Sequence, residues 1–464
     1  MPGKIMDREV LLQALASGKS AAGLTVSPVK LRRIKLRDFR RRLIAAKAEI
    51  YAALVADINR DQVETLLAEL LPLVQIAKFL EKHLPSLSRS RRLSGSLNTF
   101  PATARLHREP YGRVLVISTW NYPLLLSLEP VLGAFAAGNK VVLKLSPRSP
   151  HTNEVIVKIL KSVFSSDEIL TVGTELTLDE ILDFHYDYIF LTGNSATGRK
   201  VMARAAADLT PCTMELGGKN PCIIAEGANL RLAARRIAWG KFFNAGQSCA
   251  APDYLLVQRS IKDEFINHLT TEIRRMYGDN PLASGTFTGM PDGDAYQRMI
   301  DLLSEGRLIC GGDRFPQQFA VEPTVIDRLP VNSRLFSEEI FGPVLPVKEF
   351  ATTEEVISSL SLLERPLAAY CFGGSRELKD FLKYNFSCGA MVFNDVLIHF
   401  CNMHMPFGGV GASGFGAYHG IRTFTTFTHE KPVMIQSGWL DIPLRYPPWP
   451  RFMRRLLEFF TLRG

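Results

Sequence analysis

Nothing in this sequence pairs its cysteines. The seven, Cys212, Cys222, Cys249, Cys310, Cys371, Cys388 and Cys401, are scattered with no C-x-x-C spacing. An odd, dispersed set in a chain without an export signal predicts reduced thiols in a cytoplasmic protein. The export signal is itself lacking, because Met1–Ser20 holds no uninterrupted apolar core. Long apolar runs are scarce as well. Val114–Leu128 is too short and too punctuated to cross a bilayer, and glycines and histidines break up Val396–Ile421. The nine histidines show neither H-E-x-x-H nor metal-ligand pairing with the cysteines, so no metal is expected. Repeats and low-complexity tracts are absent. Disulfide scaffolds, zinc modules and membrane spans therefore drop out, and a large soluble protein with an ordinary core is left.

The chain has 464 residues, enough for two or three domains, with 46% hydrophobic and 22% charged residues. Its net charge of +9 is uneven, with clusters at Lys30–Lys47, Arg89–Arg92 and Arg451–Arg463. The first resembles a nucleic-acid patch in charge alone. It reads better as a solvated helix face opposite an apolar stripe of Leu31, Ile34, Phe39, Leu43 and Ile44, with no aromatic platform beside it. No nucleic-acid partner is expected.

Apolar residues three and four apart predict helix from about Val29 to Leu84, ended by Pro85. Residues 86–108 are polar and aperiodic, an extended arm or hairpin. Strand and helix signals then alternate: strand Val114–Ser118, helix Pro123 to Ala137, strand Val141–Lys144, helix Thr152 to Phe164, strand Ile169–Val172, helix Leu178–Asp183 and strand Asp187–Thr192. Further strands are expected near Thr213–Leu216, Asp253–Val257, Ala368–Phe372 and Ala390–Asn394. The pattern is that of an α/β protein with parallel sheets covered on both faces, which bind ligands beyond the carboxyl ends of their strands.

Several segments carry chemistry. Gly193-Asn-Ser-Ala-Thr-Gly198 follows a strand and opens a helix, so free amides there suit an anion; alone it reads equally well as a plain turn. It is not a Walker A loop, because Arg199-Lys200 stands where Lys then Ser or Thr is required. Cys249 sits among small neighbours, Gly246, Ser248, Ala250 and Ala251, where a thiol can attack a carbonyl carbon; a cysteine in a core loop is the alternative. Glu215, in Thr213-Met-Glu-Leu-Gly-Gly-Lys219, is a carboxylate in an apolar strand. It is either solvent-facing or, if buried, a base with raised pKa. Asn121 follows a buried strand, where an amide can hold an oxyanion or serve as a turn or helix cap. Glu338-Glu339-Ile-Phe-Gly-Pro343 offers a ribose acceptor or a helix end.

Taken together and in this order, Thr119-Trp-Asn-Tyr-Pro123, Gly193–Gly198, Glu215-Leu-Gly-Gly218, Gly246-Gln-Ser-Cys249, Glu339-Ile-Phe-Gly-Pro343 and Pro406-Phe-Gly-Gly-Val-Gly-Ala-Ser-Gly414 resemble the aldehyde dehydrogenase superfamily over about residues 28–448. Ala417-Tyr-His-Gly420 and Arg445-Tyr-Pro-Pro448 look most like its class 3 branch, which includes fatty-aldehyde, aromatic-aldehyde and coniferyl-aldehyde-type enzymes. The resemblance implies oxidation of an aldehyde to a carboxylic acid with NAD or NADP. Cys249 would form a thiohemiacetal and then a thioester, Asn121 would hold the oxyanion, and Glu215 would activate the hydrolytic water. Thr119, Trp120, Lys144, Gly193, Asn194, Ser195, Gly198, Leu216, Gly217, Glu339 and Phe341 would contact the cofactor. A Rossmann-like cofactor domain (1–87 and 107–215), an α/β catalytic domain (216–424) and a β bridging arm (88–106 and 425–450) that builds a homodimer are implied too.

One departure stands out. The family usually has Lys-Pro-Ser-Glu after its second strand, and here the run is Lys144-Leu-Ser-Pro147-Arg148. Losing that carboxylate removes a ribose acceptor and a charge that repels a 2′-phosphate, so NADP is expected to be accepted. The tail 451–464 reads as a basic amphipathic helix that lies on an anionic membrane surface, gates the substrate entrance or simply packs. Two rivals are weighed: a CoA-acylating aldehyde dehydrogenase, disfavoured by Glu215, and a non-catalytic scaffold, disfavoured by intact Cys249, Glu215 and Asn121.

Overall fold

The computed structural model describes residues 6–17, 26–96, 99–281, 287–442 and 445–462. The N-terminal stretch read for an export signal lies partly outside these.

Runs of consecutive apolar residues become strands buried on both faces. Every residue of Arg113–Ile117, Ile169–Val172 and Tyr188–Thr192 is buried. Among the described residues they belong to a six-stranded sheet in the order Gly414–Phe415, Cys212–Glu215, Tyr188–Thr192, Arg113–Ile117, Lys140–Lys144, Ile169–Val172. All neighbours are parallel except Gly414–Phe415, which runs antiparallel to Cys212–Glu215 with Gly414 opposite Glu215. From the central strand Arg113–Ile117 the chain adds two strands on one side, then returns to add Tyr188–Thr192 and Cys212–Glu215 on the other. A crevice opens where the order reverses, and such a crevice is where doubly wound sheets hold ligands. Residues 118–121 and Gly193 leave their strands at that point.

A second sheet has the order Arg307–Cys310, Thr324–Asp327, Val344–Phe350, Tyr254–Gln258, Pro221–Ile224, Ala368–Phe372, Ala390–Phe393. It is parallel except for Arg307–Cys310. Helices Leu230–Phe242 and Lys262–Tyr277 cover it, burying Ile237, Phe242, Phe265 and Leu269.

The N-terminal helical run departs from expectation. It divides into Val29–Ala45 and Lys47–Ile58, then turns at a left-handed Asn59 (φ 51°). It resumes at Gln62, passes through a π-turn at Leu66–Leu70 and ends in the helix Leu71–Leu87. Pro85 does not stop it. A proline in a helix frees the carbonyl four residues earlier, and the Arg33 Nε donates to that group, the Glu81 carbonyl, at 3.0 Å. The apolar stripe is also corrected. Leu36, Phe39 and Leu43 are buried, whereas Leu31 and Ile44 are exposed. Arg32 takes a buried place and donates to the Ser27 carbonyl at 3.0 Å and to the Ala136 carbonyl.

The contacts divide the chain into two units, 1–87 with 110–428 and 88–109 with 429–464. The smaller unit holds a three-stranded sheet of Arg91–Arg92, Thr103–Pro110 and Thr428–Ile435. Arg91 pairs antiparallel with Leu106, so the polar segment forms a hairpin. Ion pairs Arg108–Glu430 (2.9 Å) and Glu109–Lys431 lie along it. The helix Arg451–Leu462 follows, with Phe452 and Phe459 exposed. The side chains of Leu456, Leu457 and Phe460 lie outside the described residues. Among the described residues no helix is long and apolar enough to cross a membrane.

Candidate active site

The crevice of the six-stranded sheet is a cleft of about 690 Å³. Thr119, Trp120, Asn121, Gly193, Asn194, Glu215, Gly217, Cys249, Glu339 and Phe341, all singled out in the sequence, line it together. Behind the thiol lies a second, apolar cavity of about 290 Å³, walled by Leu125, Leu126, Trp239, Phe243 and Phe407. Cys249 belongs to the walls of both. A sulfur at that junction meets a polar ligand from one side and an apolar one from the other.

Cys249 is half-buried. Burial pushes its thiol up to about 12, helped by the charges of Glu339 and Glu215, while the amides of Cys249 and Ala250 pull the other way. The loop that presents it is held at several points. Asn220 Nδ2 donates to the carbonyls of Cys249 (2.7 Å) and Ala251 (3.0 Å), and the Tyr370 hydroxyl donates to the Ala250 carbonyl at 2.5 Å. Gly246 takes φ 73°, and a Cβ there would stand 2.3 Å from the Gly342 carbonyl oxygen. Only glycine lets this loop and the Glu339–Pro343 turn approach so closely.

Asn121 is not the cap of the helix Pro123–Ala137. Tyr122 stands in that position, and Glu69 takes the free N–H groups of Leu124 (2.7 Å) and Leu125 (3.0 Å). The Asn121 side-chain amide instead donates to the Gln247 carbonyl at 3.0 Å. A primary amide has two N–H bonds, so one remains for a ligand oxygen.

Glu215 is 3% exposed, and neither carboxylate oxygen has a partner among the described residues. Burial, then the charge of Glu129, raises its pKa well above the ordinary carboxyl value. The late glycine-rich stretch covers the strand that carries it. Gly414, at φ 121°, leaves no room for a Cβ, which would sit 1.9 Å from the Met214 carbonyl oxygen.

Glu339 accepts the Gly218 amide at 3.1 Å, and burial raises its pKa to about 7. A Cβ on Gly217 would collide with its carboxylate at 2.2 Å, which explains the Gly-Gly pair on the facing strand end. The backbone behind Glu339 is pinned by Arg298, which donates to the Ile340 carbonyl at 2.6 Å, and by Asp253, which accepts the Ile340 amide at 3.0 Å. Phe341 holds φ 51° and meets the Trp120 ring edge-on at 5.6 Å.

The remaining singled-out residues stand apart from the cleft wall. Lys144 is buried, and its ammonium donates to the carbonyls of Gly173 (2.5 Å) and Leu145 (3.2 Å). Ser195 opens the helix Ser195–Ala207 and lines a neighbouring recess, with Asn194 as the cap accepting the Thr197 amide at 2.9 Å. Gly198 lies against the Leu216 side chain, which is buried. Asn220, Asn244, Arg298 and Tyr370 went unread in the sequence; Asn244 alone carried a signal, as an amide two residues before Gly246-Gln-Ser-Cys249.

These residues suit a dinucleotide. Helix-start amides beside Gly193 could receive a phosphate, the Glu339 carboxylate could accept from ribose hydroxyls, and the Trp120–Phe341 edge could flank a ring. Among the described residues no cluster of His, Cys, Asp and Glu could hold a metal.

Comparison with known proteins shows the family. The family described as "Aldehyde dehydrogenase family" matches residues 6–433. "Aldehyde dehydrogenase family 3 member A2" of Rattus norvegicus is 36% identical over 99% of this chain and 94% of its own length. The "4,4'-diaponeurosporen-aldehyde dehydrogenase" of Staphylococcus aureus is 34% identical over 93% of this chain and 95% of its own. The solved "Substrate bound state of Staphylococcus Aureus AldH" superposes with a TM-score of 0.93 at 32% identity, over 98% of this chain and 100% of that one. The chain belongs to the aldehyde dehydrogenase family and is an NAD(P)-dependent oxidoreductase that converts aldehydes to carboxylic acids.

Proposed function

We propose that Cys249, Asn121 and Glu215 carry this oxidation, on substrates that are medium or long aliphatic or aromatic aldehydes. What supports the reading above all is that Cys249 sits in the walls of both the polar cleft and the apolar cavity. The Cys249 thiol gives up its proton to solvent in the cleft, and the thiolate adds to the aldehyde carbon as the C=O π bond opens, so that the oxygen takes the charge of a thiohemiacetal. The free N–H of the Asn121 amide and the Cys249 backbone amide hold that oxyanion. Bound NAD(P)+ supplies the hydride acceptor. Glu339, Phe341 and Trp120 orient the ring and ribose, and the Gly193–Gly198 helix start meets the phosphates. Loss of hydride leaves a thioester on Cys249. Glu215 takes a proton from water, the resulting hydroxide attacks the thioester, and the thiolate leaves as the acid departs. In domain terms, 1–87 with 107–215 hold the cofactor and 216–424 present the thiol.

A panel of aldehydes assayed with both cofactors tests this. Each buried methylene is worth about 0.8 kcal/mol, so kcat/KM should climb roughly fourfold per added carbon until the cavity is full. The product should be the free acid even when coenzyme A is present. A flat panel overturns the substrate class, and acyl-CoA overturns the hydrolytic step. Pro147 brings no carboxylate to the second strand end, and Arg148 lines the cleft, paired with Asp292 at 2.9 Å. NADP should therefore be accepted alongside NAD, and a strong NAD preference would refute this.

The helix Arg451–Leu462 carries exposed Phe452 and Phe459 beside Arg451, Arg454 and Arg455, which suits peripheral contact with an anionic membrane. We infer also a homodimer built on the arm 88–106 and 425–450. Deleting 451–464 should abolish sedimentation with phosphatidylserine vesicles, while sedimentation velocity of both forms still gives a dimer. Unchanged vesicle binding defeats the tail reading, and a monomer defeats the other.

A further inference from the structure

A buried guanidinium ties the amide donor to the nucleophile loop. Arg60 is fully buried, in the turn between the helices Lys47–Ile58 and Gln62–Thr65. Its Nη1 meets Glu69, which is likewise fully buried. Its Nε and Nη2 both donate to Asn244 Oδ1, at 2.9 and 2.5 Å, and Nη2 also reaches the Asn121 carbonyl. Asn244 carries the link further, since its Nδ2 donates at 3.1 Å to the carbonyls of Asn121 and of Gln247. The Gln247 carbonyl is the group that accepts the Asn121 side-chain amide. Asn244 holds this pose at φ 54°, its own amide 3.3 Å from a Glu64 carboxylate oxygen. The Tyr122 ring lies 5.0 Å from the guanidinium. Every acceptor around the fork is thus one that fixes residue 121, residue 124–125 or the loop leading to residue 249.

We propose that Arg60 is a positioning residue for aldehyde oxidation, its planar fork setting where the Asn121 amide stands relative to the Cys249 sulfur. The inference rests on the reading of Asn121 as the oxyanion donor. Lysine cannot replace the fork, because a single ammonium offers a point charge and cannot span three acceptors in one plane. A misplacement of about 1 Å at a reacting group costs up to about a hundredfold in rate.

The test is a double-mutant cycle of R60K with N121A, read as kcat/KM, together with NADPH dissociation constants and Tm. N121A should lose about 10²–10³-fold, as removal of one oxyanion donor does. R60K should lose about 10–100-fold in kcat with NADPH affinity within about twofold of wild type. The double variant should fall within about threefold of N121A alone, since Arg60 has nothing left to position. Losses that multiply overturn the proposal and leave the Asn121 assignment standing. N121A with undiminished activity overturns both. If R60K does not fold, E69Q, which keeps the shape but loosens the anchor of Arg60, enters the same cycle. If neither folds, the pair is a folding element and the proposal is overturned.

Discussion

Cys249→Ala should reduce aldehyde oxidation at least about 10³-fold, to the level of buffer with cofactor alone. Cys222 and Cys371 lie in the core of the second sheet and Cys310 on its far edge, and Cys401 lines the apolar cavity, but of the cysteines only Cys249 also lines the cleft among the described residues. The alanine removes one sulfur from a loop whose hold comes from Asn220, Asn244 and Tyr370, so Tm and NADPH binding should stay near wild type. Turnover that survives this change would remove the thioester from the mechanism. The ionisation of the thiol gives a second check. With its pKa pushed up to about 12 by burial and by two carboxylates, the free enzyme holds a protonated sulfur at neutral pH. Below that value the thiolate fraction rises about tenfold per pH unit. Alkylation of Cys249 by iodoacetamide in the free enzyme should therefore climb without a plateau from about pH 7 to 9. A plateau below pH 8 would mean that the sulfur is already ionised.

The strands that bear the site were legible because parallel strands buried on both faces read as unbroken apolar runs. Ile169–Val172, Ala368–Phe372 and the helix Pro123–Ala137 fall where the pattern put them. Pro221–Ile224 and Val344–Phe350 were not legible. The first begins at Pro221 and the second contains Pro346, and a proline reads as a break. The end of the helical run was misplaced because Pro85 counted as a stop, and a distant Arg33 supplies the donor that lets the helix pass it. The same division runs through the site. Cys249 and Glu215 stood out by glycine or small neighbours, Glu339 by the Gly-Pro turn that follows it, and Asn121 by its place just after a buried strand. Arg60 offered no such cue, its partners Asn121 and Asn244 being 61 and 184 positions away. Lys144 was given to the cofactor by the family resemblance alone, and its ammonium here donates to the Gly173 and Leu145 carbonyls. Local sequence finds groups that do chemistry at loop ends, and it misses the groups that hold them.

Glu215→Gln should separate the two halves of the reaction. Addition of the thiol and loss of hydride need the sulfur and the Asn121 amide, and neither consumes the Glu215 carboxylate. E215Q should then release about one NAD(P)H per active site in a rapid burst. Steady turnover should fall by about 10²–10⁴-fold, the usual worth of a general base. Acid-quenched protein should carry the acyl mass on Cys249. A steady rate equal to wild type, or no burst at all, would take the base role from Glu215. The same side chain links activity to stability, with a definite sign. Burial without a partner, reinforced by Glu129, raises its folded pKa well above 4.5, so the folded state favours the protonated form. The folded protein then binds more protons than the unfolded chain between pH 4.5 and that raised value. Stability present below pH 4.5 is lost progressively as pH rises towards the folded pKa. A glutamine stays neutral, so E215Q should melt higher than wild type at pH 8 and nearly equal to it at pH 4.5 or just below. Hydrolysis by the wild-type enzyme should strengthen over the same rise in pH, because only the ionised carboxylate can accept a proton from water. The residue that destabilises the folded state at neutral pH is, on this account, the one that empties the thioester.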